Sequence, residues 1–491
     1  MHQQLNPSQT GGFATLAAAA GSEGLEHQAG VDTPETPSNH ALGAGLKQRH
    51  VVMLSIGGCI GAGLFVGSGH AIAEAGPASI LAYLFASLLV VFVMRMLGEM
   101  ACAMPDSGSF STYADKAIGP WAGFTIGWMY WWFWVLVVPM EATAAASILN
   151  SWFPSVPLWQ YCLAVTLLMT GANLASVKHY GELEFWFSII KVVAIVGFIG
   201  IGVIVLTGFL PKIHPTPVQN ILGHGGFMPR GFLPVVGALL TTMSTFLGTE
   251  IVTIAASESA NPAREISRAI KSVIWRISLF YIGSIAVIIC VIPWNDPNLV
   301  KIGSYQSVLQ AFNVPFAKPI MDVLILTAVG SCLNSSLYTC SRMLFSLGKR
   351  KQAPAFMTNT NASGVPVYAV LTSTMVAFAG VAANYLAPKY VFDALLSTTG
   401  MIGLLLYLVI AVCQVRMRSK LTPAQLRVKM WFHPFLALAV IAMIVAACGA
   451  MLCSPDHRQE VIATVGCSVA LAAVGYWRQR RAAAMASLKL A

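Results

Sequence analysis

Three ionisable side chains stand deep inside long apolar stretches of this sequence: Glu141, Lys191 and Glu250. In hydrocarbon such a group costs about 3 kcal/mol on insertion scales, so it is kept where it faces a cavity, pairs with a neighbour or relays a proton. Lys191 is the plainest case, with Ser188-Ile189-Ile190 before it and Val192-Val193-Ala194-Ile195-Val196 after. Desolvation penalises the charged form of a buried lysine and makes reversible proton loss accessible. Proton traffic through Lys191, Glu141 and Glu250 is therefore one reading, and a fixed structural ion pair is the other.

Two further segments have the wrong composition for plain helix. From Gly57 to Phe65 the sequence reads GGCIGAGLF, with glycines at 57, 58, 61 and 63. Glycine is about 1 kcal/mol worse than alanine in a helix interior, so the pattern predicts a break. Backbone N–H groups freed at such a break, with the positive end of the half-helix that follows, would suit an anion such as a carboxylate. Close packing of small residues between helices explains the same glycines, and spacing alone does not separate the two. The second segment, Ser244-Thr245-Phe246-Leu247-Gly248-Thr249-Glu250, interrupts an apolar run with hydroxyls, a glycine and a carboxylate. Interruptions at corresponding depth in two halves of a chain point to a midplane binding site. Hydroxyls bonding back to their own helix are the plainer account. A nucleotide-binding loop is disfavoured, because no strand precedes the glycines and no Lys-Ser or Lys-Thr follows.

The remaining conspicuous features carry blander readings. Tyr130-Trp131-Trp132-Phe133-Trp134 could cradle an ammonium by cation–π contact, but interfacial or lipid-facing packing is the favoured account. In residues 257–272 (SESANPAREISRAIKS), Asn261 and Pro262 fit a helix start. Arg264, Arg268 and Lys271 then share one face, suited to acidic headgroups or neighbouring loops. The ten cysteines all fall in apolar blocks without CxxC or Cys/His metal spacing, so they read as packed thiols rather than as a disulfide framework or zinc site. No metal or cofactor is expected.

The elements that must position these residues follow from composition. The chain has 491 residues, 56% hydrophobic and only 10% charged, whereas a soluble domain carries about 25% charged residues. Apolar blocks long enough to span a bilayer occupy 50–72, 77–100, 120–150, 156–177, 185–208, 232–256, 273–294, 319–346, 366–387, 391–414, 432–453 and 459–477. They do not alternate as barrel strands would, so the expected fold is an all-α polytopic membrane protein of twelve transmembrane helices. With the amino terminus inside, 22 of the 29 Lys and Arg fall on the inner side and six on the outer, Lys191 lying within a span. That asymmetry obeys the positive-inside rule with both termini cytoplasmic. The net charge of +10 thus reflects topology, and no basic patch interleaved with aromatics points to nucleic acid. Residues 1–45, without Lys or Arg and rich in small and polar residues, read as a disordered cytoplasmic tail. Residues 46–480 form the transmembrane domain and 481–491 a second cytoplasmic tail.

At these motifs the sequence resembles the amino acid permeases of the amino acid–polyamine–organocation superfamily, and within them the bacterial GABA (4-aminobutyrate) permeases. The resemblance covers roughly residues 45 to 480. It rests on GGCIGAGLFVG at 57–67, AEAGPA at 73–78, PDSGSFSTYADKAIGPWAG at 105–123, YWWFWVLVVPMEA at 130–142, GELEFWFSIIKV at 181–192, EIVTIAASES at 250–259, SVIWRIS at 272–278 and SCLNSSLYTCSRML at 331–344.

The resemblance implies two inverted five-helix repeats followed by two further helices, and proton-coupled symport by alternating access. It implies that Ile60 to Gly63 bind the substrate carboxylate and that Ser244, Thr245, Phe246 and Leu247 form the unwound part of span 6. Lys191 would be the span 5 lysine whose ammonium takes the place of a sodium ion, Glu141 an acid near the site, and Cys332 and Asn334 the span 8 border of the substrate. The expected activity is import of 4-aminobutyrate or a related ω-amino acid with a proton across the cytoplasmic membrane. Transport of another amino acid, such as proline or an aromatic one, and amino acid exchange remain as alternatives. A membrane enzyme or receptor finds no support, since no nucleophile–base pair, metal ligand set or appended soluble domain is visible.

Overall fold

The computed structural model describes residues 48–58, 60–209, 216–259, 261–386 and 391–490. The expected tail at 1–45, Cys59 and the loop residues Lys212 and Lys389 lie outside the described residues. Each of the twelve apolar blocks falls on helix, and among the described residues strand pairing amounts to one isolated bridge, Thr360 to Pro366.

The first half begins with α1 (Gln48–Gly57), a break, a π-turn at Gly63–Gly67 and α2 (Ser68–Ala75). Then come α3 (Ser79–Ala103), the short α4 (Phe110–Ala117), α5 (Pro120–Trp152), α6 (Leu158–Ala175) and α7 (Val177–Leu206). The second half opens in the same way, with α8 (Leu233–Phe246), a break and α9 (Ile251–Ala255). There α10 (Pro262–Arg276) runs through a π-helical stretch into α11 (Ser284–Val291), and the short α12 (Asn298–Lys301) and α13 (Ser304–Ala311) precede α14 (Ala317–Lys349), α15 (Val367–Leu386) and α16 (Val391–Arg418). The chain closes with α17 (Phe435–Cys453) and α18 (Pro455–Leu490).

Nine helical stretches among the described residues are long and apolar enough to cross a membrane. Leu279–Val291 and Val367–Ala383 are shorter apolar helices, and the first block is divided by its break. The packing repeats between the halves: α1 lies against α7 as α8 lies against α16, and α5 and α14, third from the start of each half, form the central pair. About 72% of the most apolar window of both α5 and α14 is buried, against 22% for α17 and 17% for α18, which puts the last two helices at the periphery. Leu168, Val193, Met375 and Val469 stand exposed on the outer faces of α6, α7, α15 and α18. An apolar exterior of this extent has a bilayer as its solvent; the chain is a multi-pass membrane protein.

Two expectations change. The fifth block is expected from 185, but its helix begins at Val177 and carries Glu184 into the interior. The aromatic run is not lipid-facing: Tyr130, Trp131, Phe133 and Trp134 are buried and only Trp132 is exposed. Its α5 occupies the middle of the bundle, where four of five successive aromatics find protein neighbours.

Candidate functional site

Helical bonding lapses after Gly58, whose N–H reaches Leu54 O, and resumes where Leu64 N–H meets Gly61 O at 3.3 Å. The glycines make that lapse possible and also allow close approach. A Cβ on Gly61 would run into Glu141 Oε1 and stand 2.9 Å from Cys332 Sγ, and one on Gly63 would stand 3.0 Å from Thr245 Cγ2. One freed donor already holds a carboxyl group. Ala62 N–H lies 3.2 and 3.1 Å from the two carboxylate oxygens of Glu141, so α5 caps the amino terminus of the half-helix leading into α2, where a negative charge is stabilised.

The carbonyl side of the same break is held by Lys191. Its Nζ donates to Ile60 O at 3.2 Å and to Ser331 Oγ at 2.7 Å. The Ser331 hydroxyl in turn donates to Glu184 Oε1 at 2.5 Å, and that oxygen is 3.7 Å from Nζ. Both charged side chains are fully buried. Glu184 precedes Lys191 by seven residues, two turns of α7, so both point along one face. A buried pair linked through a hydroxyl to α14 and through a carbonyl to the first break joins three elements at one point.

The second break is built differently. Leu247 is extended, and Gly248 has φ of 110°, a left-handed conformation that glycine adopts without steric cost. Glu250 pins it: Gly248 N–H donates to Oε2 at 3.0 Å, and Tyr130 Oη donates to Oε1 at 2.9 Å. The hydroxyls of Ser244 and Thr245 donate back to Thr241 O and Thr242 O, as the plainer reading of this segment requires. The freed Thr245 carbonyl accepts the Tyr281 hydroxyl at 2.8 Å.

Between the two breaks lies a small cavity. It is lined by Gly61 and Gly63, by Phe133, Trp134 and Glu141 of α5, by Ser244, Thr245 and Leu247, by Cys332 of α14 and by Thr399 of α16. Its open volume of about 20 Å³ is room for a single water. Most of the expected site residues thus meet at one place. Phe246 and Asn334 do not line it: Phe246 stacks on Tyr281 at 4.3 Å between ring centroids, and Asn334 Oδ1 accepts from Asn173 Nδ2 at 2.8 Å. Glu250 sits behind the second break, outside the lining. Sequence reasoning missed Glu184, Ser331 and the inward turn of Phe133 and Trp134. The seven-residue offset from Lys191 is the signal that would have found Glu184. Among the described residues no group of His, Cys, Asp or Glu could hold a metal.

Comparison with known proteins adds four findings. A family model described as amino acid permease matches residues 50–478. A probable GABA permease of Pseudomonas aeruginosa is 57% identical over 446 residues, covering 90% of this chain and 94% of that protein. The gamma-aminobutyric acid permease of Escherichia coli is 57% identical over 427 residues, 87% and 92% of the two chains. Among solved structures, the manganese transporter of Eremococcus coleocola, crystallised with an aromatic bis-isothiourea compound, superposes with a TM-score of 0.54. It shares 14% identity over 91% of this chain and 96% of that one, a likeness of fold alone.

Proposed function

Because the chain belongs to the amino acid permease family, whose members are transporters rather than enzymes, we propose that it imports 4-aminobutyrate or a related ω-amino acid together with a proton. The observation that carries this reading is the pairing of two opposite charges with the two sides of the first break: Glu141 on the Ala62 N–H and Lys191 on the Ile60 carbonyl. The names of the 57% identical relatives support the substrate.

The chemistry runs as follows. A substrate carboxylate competes with Glu141 for the donors of the break. Once displaced, Glu141 is free to meet the substrate's ammonium, which in 4-aminobutyrate lies three methylenes beyond the carboxylate, toward Cys332 and the second break. A cavity with room for one water cannot hold such a molecule, so the elements bearing the two breaks must part to admit it. Protonated Lys191 ties the first break to Ser331 and Glu184. Loss of its proton removes the charge-assisted bond to Ile60 O, which is stronger than a neutral one, and releases the break from α14. Substrate loading and proton transfer thereby act on the same element.

The zwitterionic substrate is neutral, so one co-transported proton makes the cycle electrogenic. A potential of 100 mV then supplies about 2.3 kcal/mol, or roughly fifty-fold accumulation. The distribution of basic residues supports placement in the cytoplasmic membrane with both termini inside. The deciding experiment is uptake of labelled amino acids into proteoliposomes with an imposed pH gradient. Gradient-driven accumulation of 4-aminobutyrate is expected. Preference for an aromatic amino acid or proline would reassign the substrate, and counterflow unaffected by the gradient would make the protein an exchanger.

A further inference from the structure

A basic pocket lies apart from the cavity between the two breaks and shares no lining residue with it. Arg264, Arg268 and Lys271 of α10 line it on one side and Arg427, from the segment between α16 and α17, on the other, around about 360 Å³. No Asp or Glu lines this space, and among the described residues none of the four makes an ion pair. Glu265, next along α10, is buried away from solvent, and Glu99 is taken up by Arg418 and Gln414.

Arg427 is held there by construction. Arg95 donates to Lys429 O at 2.7 Å and lies over the Trp431 ring at 3.9 Å, while Met430 N–H donates to Glu99 at 2.7 Å. These contacts fix the 427–431 segment against α3. Four cations are thereby brought together with no carboxylate lining the space between them.

The surroundings identify the chemistry. Along α10 and the helical turn after it, steps of three and four residues lead from Arg264, Arg268 and Lys271 to Trp275 and Leu279. Trp275 is 78% exposed and Leu279 46%. One stripe therefore passes from cations through an indole to an aliphatic side chain. On the Arg427 side Phe432 and Phe435 are likewise exposed, at the start of the apolar α17. Exposed aromatics at the end of an apolar helix mark headgroup level, and the cations stand on its polar side.

We propose that Arg264, Arg268, Lys271 and Arg427 bind the phosphate headgroup of an anionic phospholipid, whose chains lie along Trp275 and Leu279. Free phosphate shares the headgroup chemistry but not the apolar half of the stripe. The test uses full-length protein in phosphatidylcholine discs, with thermal unfolding followed as phosphatidylglycerol is titrated in. Bound lipid should raise the unfolding temperature by mass action. With about fivefold in affinity per cation near the surface, the double variant Arg268→Gln/Arg427→Gln should bind about twenty-five-fold more weakly. A charge-matched control, Lys351→Gln/Arg481→Gln, should respond like the wild type. The proposal is overturned if both double variants lose the response equally, if neither does, or if inorganic phosphate reproduces the wild-type stabilisation without lipid.

Discussion

Replacing Lys191 by methionine separates its structural role from its coupling role. The substitution keeps the length of the side chain and removes the charge, leaving Glu184 fully buried with the Ser331 hydroxyl as its bonded donor. Breaking a buried pair in this way costs about 3–5 kcal/mol, because one charge is left uncompensated. Removing both charges avoids that cost, since a buried pair is often replaced by neutral residues with little loss. Lys191→Met should therefore be strongly destabilised in thermal unfolding, and Lys191→Met/Glu184→Gln should recover most of the loss. Transport should not recover with it. In proteoliposomes with an imposed pH gradient the double variant should show no accumulation above equilibrium, where the wild type approaches roughly fifty-fold per 100 mV. Its counterflow with substrate on both sides should persist, because the cavity lining is untouched. A folded double variant that accumulates substrate as the wild type does would refute the reasoning and leave Lys191 as one half of a structural pair.

Three more outcomes follow from the site. Gly61→Ala introduces a Cβ into Glu141 and Cys332; overpacking of about 1–3 kcal/mol should lower apparent affinity by about fivefold or more in uptake assays, and Gly63→Ala, whose Cβ has its nearest contacts with Thr245, should cost less. Glu141→Gln keeps the shape but loses the charge, and hydrogen bonds to charged groups contribute about 1.5–3 kcal/mol. Saturation uptake should accordingly show a tenfold or greater rise in apparent KM, and an unchanged value would remove Glu141 from substrate recognition. A thiol reagent that modifies Cys332 should block uptake with protection by excess substrate, and unbranched ω-amino acids of three to five carbons should compete better than leucine or tryptophan; transport unaffected by Cys332 modification would displace that residue from the site.

What the sequence revealed and what it hid divide along a physical line. The spans were legible because a bilayer imposes one pattern, a run of about 20 apolar residues, and the breaks were legible because glycine and buried polar groups contradict that pattern locally. The positions of Gly61, Gly63, Thr245 and Leu247 around one cavity followed from those contradictions. Side-chain direction was not legible. The Trp-rich run was read outward because aromatic residues favour interfaces, yet composition on a helix buried on most sides says nothing about which face meets lipid. Glu184 was missed because a carboxylate immediately before an apolar run passes for a helix-end residue. Only the extension of α7 back to Val177 puts it level with Lys191. Glu141 shows the limit most sharply. Its depth marked it for proton traffic or an ion pair, whereas the structure gives it a backbone donor of the first break. Under the proposed function a substrate carboxylate would compete with Glu141 for those donors, and the occupied and empty sites would then be different states of the first break.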